Sequence, residues 1–472
     1  MVVALEIFAA LLVHAVSWLA AGHALLTKHD PRSALGWTVA ILFLPLVGPL
    51  LYACFGISRA ESRANRNMRL QARQEVEAAY FPSACIPTEP VPRHILRTEY
   101  IGRVLTRQNV CEGNSIQPLY NGDQAYPAML QAIYAAKKHV FLCTYIFNAG
   151  RVASAFEEAM VRAAARGVDV RLLVDGVGMY YSWRKSWKKL SRHGVRTAVF
   201  LPLRLFPPNL GINLRDHRKI LVCDNTGFTG GMNIADTNLA IEKGLRVQDV
   251  HFQCNGPIVE YLRRAFWLDW GFCTGEYFAL LSPATDVTAT GKSRCRMIMD
   301  GPGAGNTLED LYCGVINAAR KCVRIMTPYF LPSHALLAAL RSAAQRGVDV
   351  RVILPGKNNL AYVHWAQFRL LPTLLKAGVR VWLQPGPFAH SKLFAVDGYY
   401  SQIGSANLDA RSLRLNFEMN MEVFDAAFHD CLAAHMDRAI SVGSEITLVD
   451  LRRQALPVQL RNAACWLFSP YL

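Results

Sequence analysis

From Val2 to Leu26 the chain is almost continuously apolar, broken only by Glu6, His14, Ser17 and His23. At about 1.5 Å per residue, a helix of that length spans the roughly 30 Å hydrocarbon core of a bilayer. A short polar joint follows, running from Thr27 to Arg32, and Leu35 to Phe55 is then a second stretch without charges. Pro45, Gly48 and Pro49 lie inside that second stretch and predict a helix that kinks or partly re-enters. No Lys or Arg precedes Lys28, and the first apolar run is followed by a second, a pattern that fits a membrane hairpin better than a cleaved leader. Arg59, Arg63, Arg66, Arg69 and Arg73 follow the hairpin, whereas the joint holds only Lys28 and Arg32. The positive-inside rule then predicts two crossings, with the joint outside and the rest of the chain in the cytoplasm.

Downstream the pattern changes to alternating helical stripes and short apolar runs. Phe156, Ala159, Met160 and Ala163 recur at helical spacing, as do Leu336, Ala339, Leu340 and Ala343. Each stripe runs into the same hexapeptide pattern, Arg166-Gly167-Val168-Asp169-Val170-Arg171 and Arg346-Gly347-Val348-Asp349-Val350-Arg351. The glycine reads as a helix stop and the Val-rich run as a strand. Upstream of each, Val140–Tyr145 and Val323–Tyr329 match loosely as buried strands. The chain is therefore a duplication. Each half is an α/β unit of strand, helix, strand and a further strand. The expected division is a hairpin over 1–57, a basic linker and amphipathic helix over 58–105, a first half over 106–288, and a second half with a C-terminal tail over 289–472.

That further strand carries candidate chemistry. His217, Lys219 and Asp224 lead to Gly230-Gly231-Met232-Asn233, and His390, Lys392 and Asp397 lead to Gly404-Ser405-Ala406-Asn407. In both copies Lys follows His by two and Asp follows Lys by five, with the copies 173 residues apart. Side chains at i and i+2 of a strand share a face, so His and Lys point one way and the Asp, at odd separation, points the other. Parity thus favours a supporting role for Asp224 and Asp397. The small residues before Asn233 and Asn407 allow backbone to approach a bound group closely. Two imidazoles, two ammonium groups and two carboxamides suit a phosphodiester. One imidazole can attack phosphorus and the other can protonate the leaving oxygen, while the lysines neutralise the non-bridging oxygens. Neither half holds a complete acid–base pair, which predicts a site built by both.

The doubled pattern resembles the phospholipase D superfamily, marked by two H-x-K-x4-D motifs, and the resemblance covers nearly the whole chain. It implies two phospholipase D-like α/β halves related by pseudo-two-fold symmetry. It also implies a catalytic set of His217, Lys219, Asp224, His390, Lys392 and Asp397, with Asn233 and Asn407 binding substrate. An acidic residue beyond each asparagine, Asp249 in the first half and Glu418 in the second, is expected to orient the histidine of its own half. The hairpin, with Pro31-Arg32, Gly36-Trp37, Phe43–Tyr52 and Phe55-Gly56, narrows the likeness to bacterial cardiolipin synthases, and the ending Trp466–Leu472 is similar too.

That narrower resemblance implies a phosphatidyltransferase of the bacterial inner membrane. Two phosphatidylglycerols would give cardiolipin and glycerol through a phosphatidyl-histidine on His217, with His390 as acid and then base. The alternative within the superfamily is a phosphodiesterase that uses water as acceptor. No cofactor or metal is expected, because the lysines supply the positive charge. The formal net charge of +16 implies an anionic partner, and the hairpin selects acidic membrane lipid over nucleic acid. The 12 cysteines include no Cys-x-x-Cys pair and fit a reducing compartment. The first half also holds about 11 extra residues around Leu201–Leu210, an apolar, proline-paired loop expected to meet acyl chains.

Overall fold

The computed structural model describes residues 2–28, 31–56, 91–178, 186–202, 214–240, 246–276, 288–302 and 306–469. The Arg59–Arg73 stretch, the expected acyl-chain loop from Leu203 onward, most of the expected linker and the last three residues lie outside these. The chain divides into one unit of residues 1–66 with 203–212 and another of residues 67–202 with 213–472.

In the first unit, helix α1 (Val2–Thr27) is the one described helix long and apolar enough to cross a membrane. Helix α2 (Pro31–Phe43) has 13 residues, about 20 Å of rise, and falls short of a bilayer core. The chain then turns at Leu44–Leu46 and comes back as helix α3 (Val47–Leu51) and a wide helical turn, Tyr52–Gly56. Gly48 permits this return, because a Cβ there would lie 2.6 Å from Ile41 Cα. Ser17 Oγ donates to the carbonyl of Pro45 at 2.9 Å, satisfying backbone that the turn leaves open. Further along α1, His23 Nδ1 meets the Tyr52 hydroxyl at 2.8 Å and Lys28 Nζ donates to Gly56 O at 2.6 Å. The second apolar stretch therefore dips to the level of Ser17 and ends beside Lys28, at the end of α1 where it began. The expectation of two crossings is not supported: the one described helix long enough to span is followed by a stretch that folds back along it, because the helix-breaking Pro45 turn comes after only 13 helical residues, too few to cross a bilayer core.

The second unit is built on a sheet of 15 strands. Its first part runs, in spatial order, Arg196–Phe200, Asp169–Asp175, His139–Thr144, Ile220–Cys223, Thr226–Gly230, Val250–Asn255 and Cys111–Tyr120. Its second runs Ser444–Ile446, Arg380–Gln384, Asp349–Pro355, Cys322–Met326, Leu393–Val396, Tyr400–Gly404, Glu418–Phe424 and Ser293–Asp300. The two parts join where Cys111–Tyr120 pairs antiparallel with Ser293–Asp300. The helical stripes lie where the periodicity placed them. Phe156, Ala159, Met160 and Ala163 are fully buried in one core, and Leu336, Ala339, Leu340 and Ala343 are buried in the other. Gly167 and Gly347 end these helices at the same φ of +86°, a left-handed conformation that glycine adopts without strain.

Asp224 and Asp397 close the turn after each motif strand. Both have left-handed backbone, at φ +50° and +55°, which Asp tolerates better than most residues. Asp224 accepts the backbone N–H groups of Lys137, Lys138 and His139, and Asp397 accepts those of Arg320, Lys321 and Cys322. They pin the start of the neighbouring strand to the end of the motif strand. The resemblance placed them with the catalytic set; their bonds give them the supporting role that strand parity indicated. Asp397→Ala should therefore lower stability by about 2–4 kcal/mol, through three stranded donors and a strained turn, and Asp397→Asn by clearly less. Thermal unfolding of the two variants checks the order.

Candidate active site

The sheet strands begin at Ile220 and at Leu393, just after each His-x-Lys. The histidine-bearing lead-ins leave the sheet and pair with the opposite half. His217 N donates to Phe417 O at 2.9 Å, and Phe417 N donates to Arg215 O at 2.8 Å. In the mirror arrangement, Phe388–Ala389 pairs in parallel with Val247–Gln248, and His390 N donates to Gln248 O at 2.7 Å. The residue after Phe417 is Glu418, and the residue after Gln248 is Asp249. Each backbone bridge thus delivers a carboxylate to the histidine of the other half.

The expectation that each acidic residue serves its own half is corrected. His217 Nδ1 lies 3.2 Å from Glu418 Oε2, and His390 Nδ1 lies 2.9 Å from Asp249 Oδ2. The register forces this crossing, since a carboxylate one residue past the bridge faces the bridged imidazole. Both carboxylates are fully buried, and each imidazole keeps only 12–13% of its side-chain surface exposed. With Nδ1–H donated to the carboxylate, each ring holds its Nε2 lone pair for chemistry.

Lys219 Nζ and Lys392 Nζ each donate to the carbonyl of the histidine two residues before, at 2.5 Å in both cases. Burial pulls Lys219 down to about 8 and Lys392 to about 7, against the attraction of the site carboxylates. Burial and the adjacent Lys392 push His390 down to about 4, and burial and Lys219 lower His217. Each imidazole also senses the lysine of the other half, so the two motifs form one electrostatic site. Burial by itself would raise Glu418 and Asp249, but the paired imidazoles and lysines win and hold both below the usual carboxylate range.

The two asparagines are placed differently. Asn233 Oδ1 accepts the N–H of Ile146 at 3.2 Å. Asn407 Nδ2 donates to Ser412 Oγ at 3.0 Å, and its buried Oδ1 has no partner among the described residues. The small residue before Asn233 meets a carboxylate of the protein: a Cβ on Gly231 would lie 2.7 Å from both Asp249 oxygens. At the equivalent place Ser405 donates its hydroxyl to Glu418 Oε2 at 2.5 Å, and its carbonyl lies 3.2 Å from His217 Nδ1.

Sequence reasoning missed Ser405 as a support of the site. It also missed Tyr145 and Tyr329, whose rings stand edge-on to His217 and His390 at 5.3 and 6.4 Å. Both tyrosines end the matched strand segments, and that repeated ending was the available signal. A buried charge cluster flanks His217 as well. Arg218 Nη1 binds Asp269 Oδ1 at 2.5 Å, and the Cys143 thiol donates to Asp216 Oδ2 at 3.1 Å. Cys143, Asp216 and Asp269 have ligand atoms close enough to share a cation, and Asp269 among them already pairs with the Arg218 guanidinium.

Comparison with known proteins shows the family. Residues 129–270 and 312–440 match the family model described as cardiolipin synthase, PLD-like domain. The chain belongs to that family. Residues 15–56 match a second model, the phospholipase D-nuclease N-terminal segment. The cardiolipin synthase A of Pseudomonas putida strain GB-1 is 32% identical over 471 residues, covering 98% of this chain and 97% of that protein. The major cardiolipin synthase of Bacillus subtilis is 29% identical over 463 residues, covering 94% and 95%. Among solved structures, the phosphatidylserine synthase of Haemophilus influenzae superposes with a TM-score of 0.63 at 16% identity, covering 80% of this chain and all of that one, and shows the shared fold.

The ionisations of the family site set a pH dependence. A free site that binds an anion and attacks it needs protonated lysines and a neutral nucleophilic imidazole. As pH rises through the 7–8 range the lysines lose their protons, and kcat/KM should fall. As pH falls below the ordinary histidine range the nucleophile is protonated, and kcat/KM should fall again. Lys392→Arg should move the alkaline limb upward, because arginine stays charged. An alkaline limb that does not move would exclude Lys392 as its origin.

Proposed function

We propose that this protein makes cardiolipin by transferring a phosphatidyl group between two phosphatidylglycerol molecules. The observation that carries the reading is the pair of buried imidazoles, each with Nδ1 held by the other half's carboxylate and Nε2 left for chemistry. The near-full-length relatives named cardiolipin synthase supply the choice of reaction. His217 Nε2 attacks phosphorus, the bond to the glycerol oxygen breaks, and His390 gives that oxygen its proton. Lys392 Nζ lies 3.0 Å from His390 Nε2 and stays an ammonium; the negative charge of a bound phosphodiester favours the imidazolium as well, so His390 takes up its proton from solvent as substrate binds. The hydroxyl of a second phosphatidylglycerol then loses its proton to His390 and attacks. The phosphorus–nitrogen bond breaks, His217 is restored, and cardiolipin and glycerol leave. Lys219 and Lys392 hold the non-bridging oxygens in both displacements, the Asn233 amide group donates to them, and the Asn407 oxygen orients the acceptor hydroxyl.

Purified protein given labelled phosphatidylglycerol alone should yield cardiolipin and free glycerol in equal amounts; phosphatidic acid as the main product would mean that water is the acceptor. His217→Ala and His390→Ala should each remove turnover, with a phosphatidyl adduct trapped on His217 in the second variant. An adduct mapped to His390 would reverse the roles. Glu418→Gln should cost about 10²–10⁴-fold in kcat through loss of its hold on His217.

The protein is held in the bacterial membrane with its catalytic unit in the cytoplasm. The re-entrant fold ends at Gly56 beside Lys28, so the joint with Lys28 and Arg32 lies at the end of the span from which the chain runs on into a sequence rich in arginine. No lysine or arginine precedes Lys28 on the other side. The positive-inside rule assigns the charged side to the cytoplasm and the N-terminus to the outer face. In sealed, right-side-out vesicles a protease site inserted after Met1 should be cut, while one inserted between Lys28 and Arg32 should survive. Cleavage at the joint would restore two crossings.

A further inference from the structure

Helix α4 (Arg93–Thr106) is the first described element of the second unit. Its inner face is committed. Ile95 and Thr98 are buried, and Gly102 leaves no room for a Cβ beside the Arg296 guanidinium and the Glu422 carboxylate. Its single acidic residue, Glu99, is paired with Arg294 at 2.8 Å. The outer face carries Leu96, Tyr100 and Val104, at i, i+4 and i+8, exposed by 49%, 57% and 54%. Arg93, Arg97 and Arg103 flank that apolar line, and Arg107 follows at the helix end. None of the four forms an ion pair among the described residues, and Arg103 lies 5.2 Å over the Tyr100 ring. A solvated helix of this kind would balance its arginines with nearby carboxylates and would not keep three large apolar side chains in a row in water.

We propose that α4 lies on the membrane surface, with Leu96, Tyr100 and Val104 entering the headgroup boundary of an anionic phospholipid bilayer and the arginines reaching its phosphates. Interfacial helices combine an apolar line with basic residues whose aliphatic stems cover apolar surface while their heads stay polar. Bilayer is favoured over a protein partner by two features. The outer face is cationic with no acidic residue, and the chain already holds a helix long and apolar enough to span a membrane, whose re-entrant partner segment ends at Gly56, with only residues 57–92 between it and Arg93. Anchored at both places, the catalytic unit would be held against the surface from which its substrates come. The inference rests on the proposed phosphatidyl transfer only for that purpose.

The test uses the full chain in vesicles of phosphatidylcholine with or without phosphatidylserine, an anionic lipid that is not the proposed substrate. A photoreactive benzophenone residue replaces Leu96, Tyr100 or Val104 in turn, with Glu158 on another exposed helix face as control. Lipid adducts should form at the three α4 positions and not at Glu158, and should increase with phosphatidylserine. Replacing Arg93, Arg97 and Arg103 by Gln should remove that increase, at roughly fivefold per arginine. Adducts only to protein, or lipid adducts no more frequent than at Glu158, would overturn the proposal and in the first case point to a second copy or another protein. Cardiolipin formation is measured on the same protein in phosphatidylglycerol vesicles. Product without α4 adducts defeats the surface and leaves the activity reading intact; α4 adducts without product do the reverse.

Discussion

The crossed pairing of imidazole and carboxylate is the constraint on which the catalytic unit depends. Glu418 and Asp249 are buried charges, and a buried charge is tolerated only with close partners. Their partners lie across the duplication, on His217 and His390. Each half alone would leave a carboxylate without its imidazole and an imidazole without its orienter. The backbone repeats the exchange, with His217 N on Phe417 O and His390 N on Gln248 O. The antiparallel joint between Cys111–Tyr120 and Ser293–Asp300 brings the two parts into one sheet and makes the exchange geometrically available.

That arrangement produces a site poised for an anion. Two lysines, two carboxylates and two imidazoles share a volume with little water, and desolvation disfavours every charge in it. The lysines respond by falling toward neutrality, to about 8 and about 7, and the imidazoles remain neutral. A phosphodiester reverses the trend, because its negative charge favours the ammonium forms and the protonated acid imidazole. Substrate binding therefore creates the ionisation that catalysis needs, and a neutral ligand of the same shape would not.

Much of this was legible in the sequence because it depends on local periodicity. The stripes from Phe156 and from Leu336, the strands that follow them and the i, i+2 spacing of His and Lys each need only a few neighbouring residues to declare themselves. Parity separated Asp224 and Asp397 from the imidazoles correctly but for the wrong reason: the strand covers only Ile220–Cys223 and Leu393–Val396, and each Asp is set apart by the left-handed turn that follows it. The crossing was not legible, since it depends on which residue of one half bridges which residue of the other. Glu418 follows His390 in the chain, and proximity in sequence suggested the wrong partner. The single span was half legible: Pro45 and Gly48 marked a break, but only the bonds from Ser17 to Pro45 and from Lys28 to Gly56 show that the chain returns to the end it entered.

The halves share a plan but differ in the groups around each orienting carboxylate. Glu418 accepts from the Ser405 hydroxyl and from Asn416 Nδ2 as well as facing His217. Asp249 has Gly231 where the second half has Ser405, and outside His390 its side chain accepts the N–H of Val250. A carboxylate with more donors is a weaker base and pulls less on the imidazole proton that it holds. The segments leading to the imidazoles differ too: Arg215 and Arg218 lock the chain around His217 through buried ion pairs with Asp175 and Asp269, whereas Ala389 and Ser391 flank His390 without charge. Two histidines that each hold a carboxylate at Nδ1 thus sit in unequal fields. A two-step transfer needs that inequality, because one imidazole must hold phosphorus while the other gives and takes a proton.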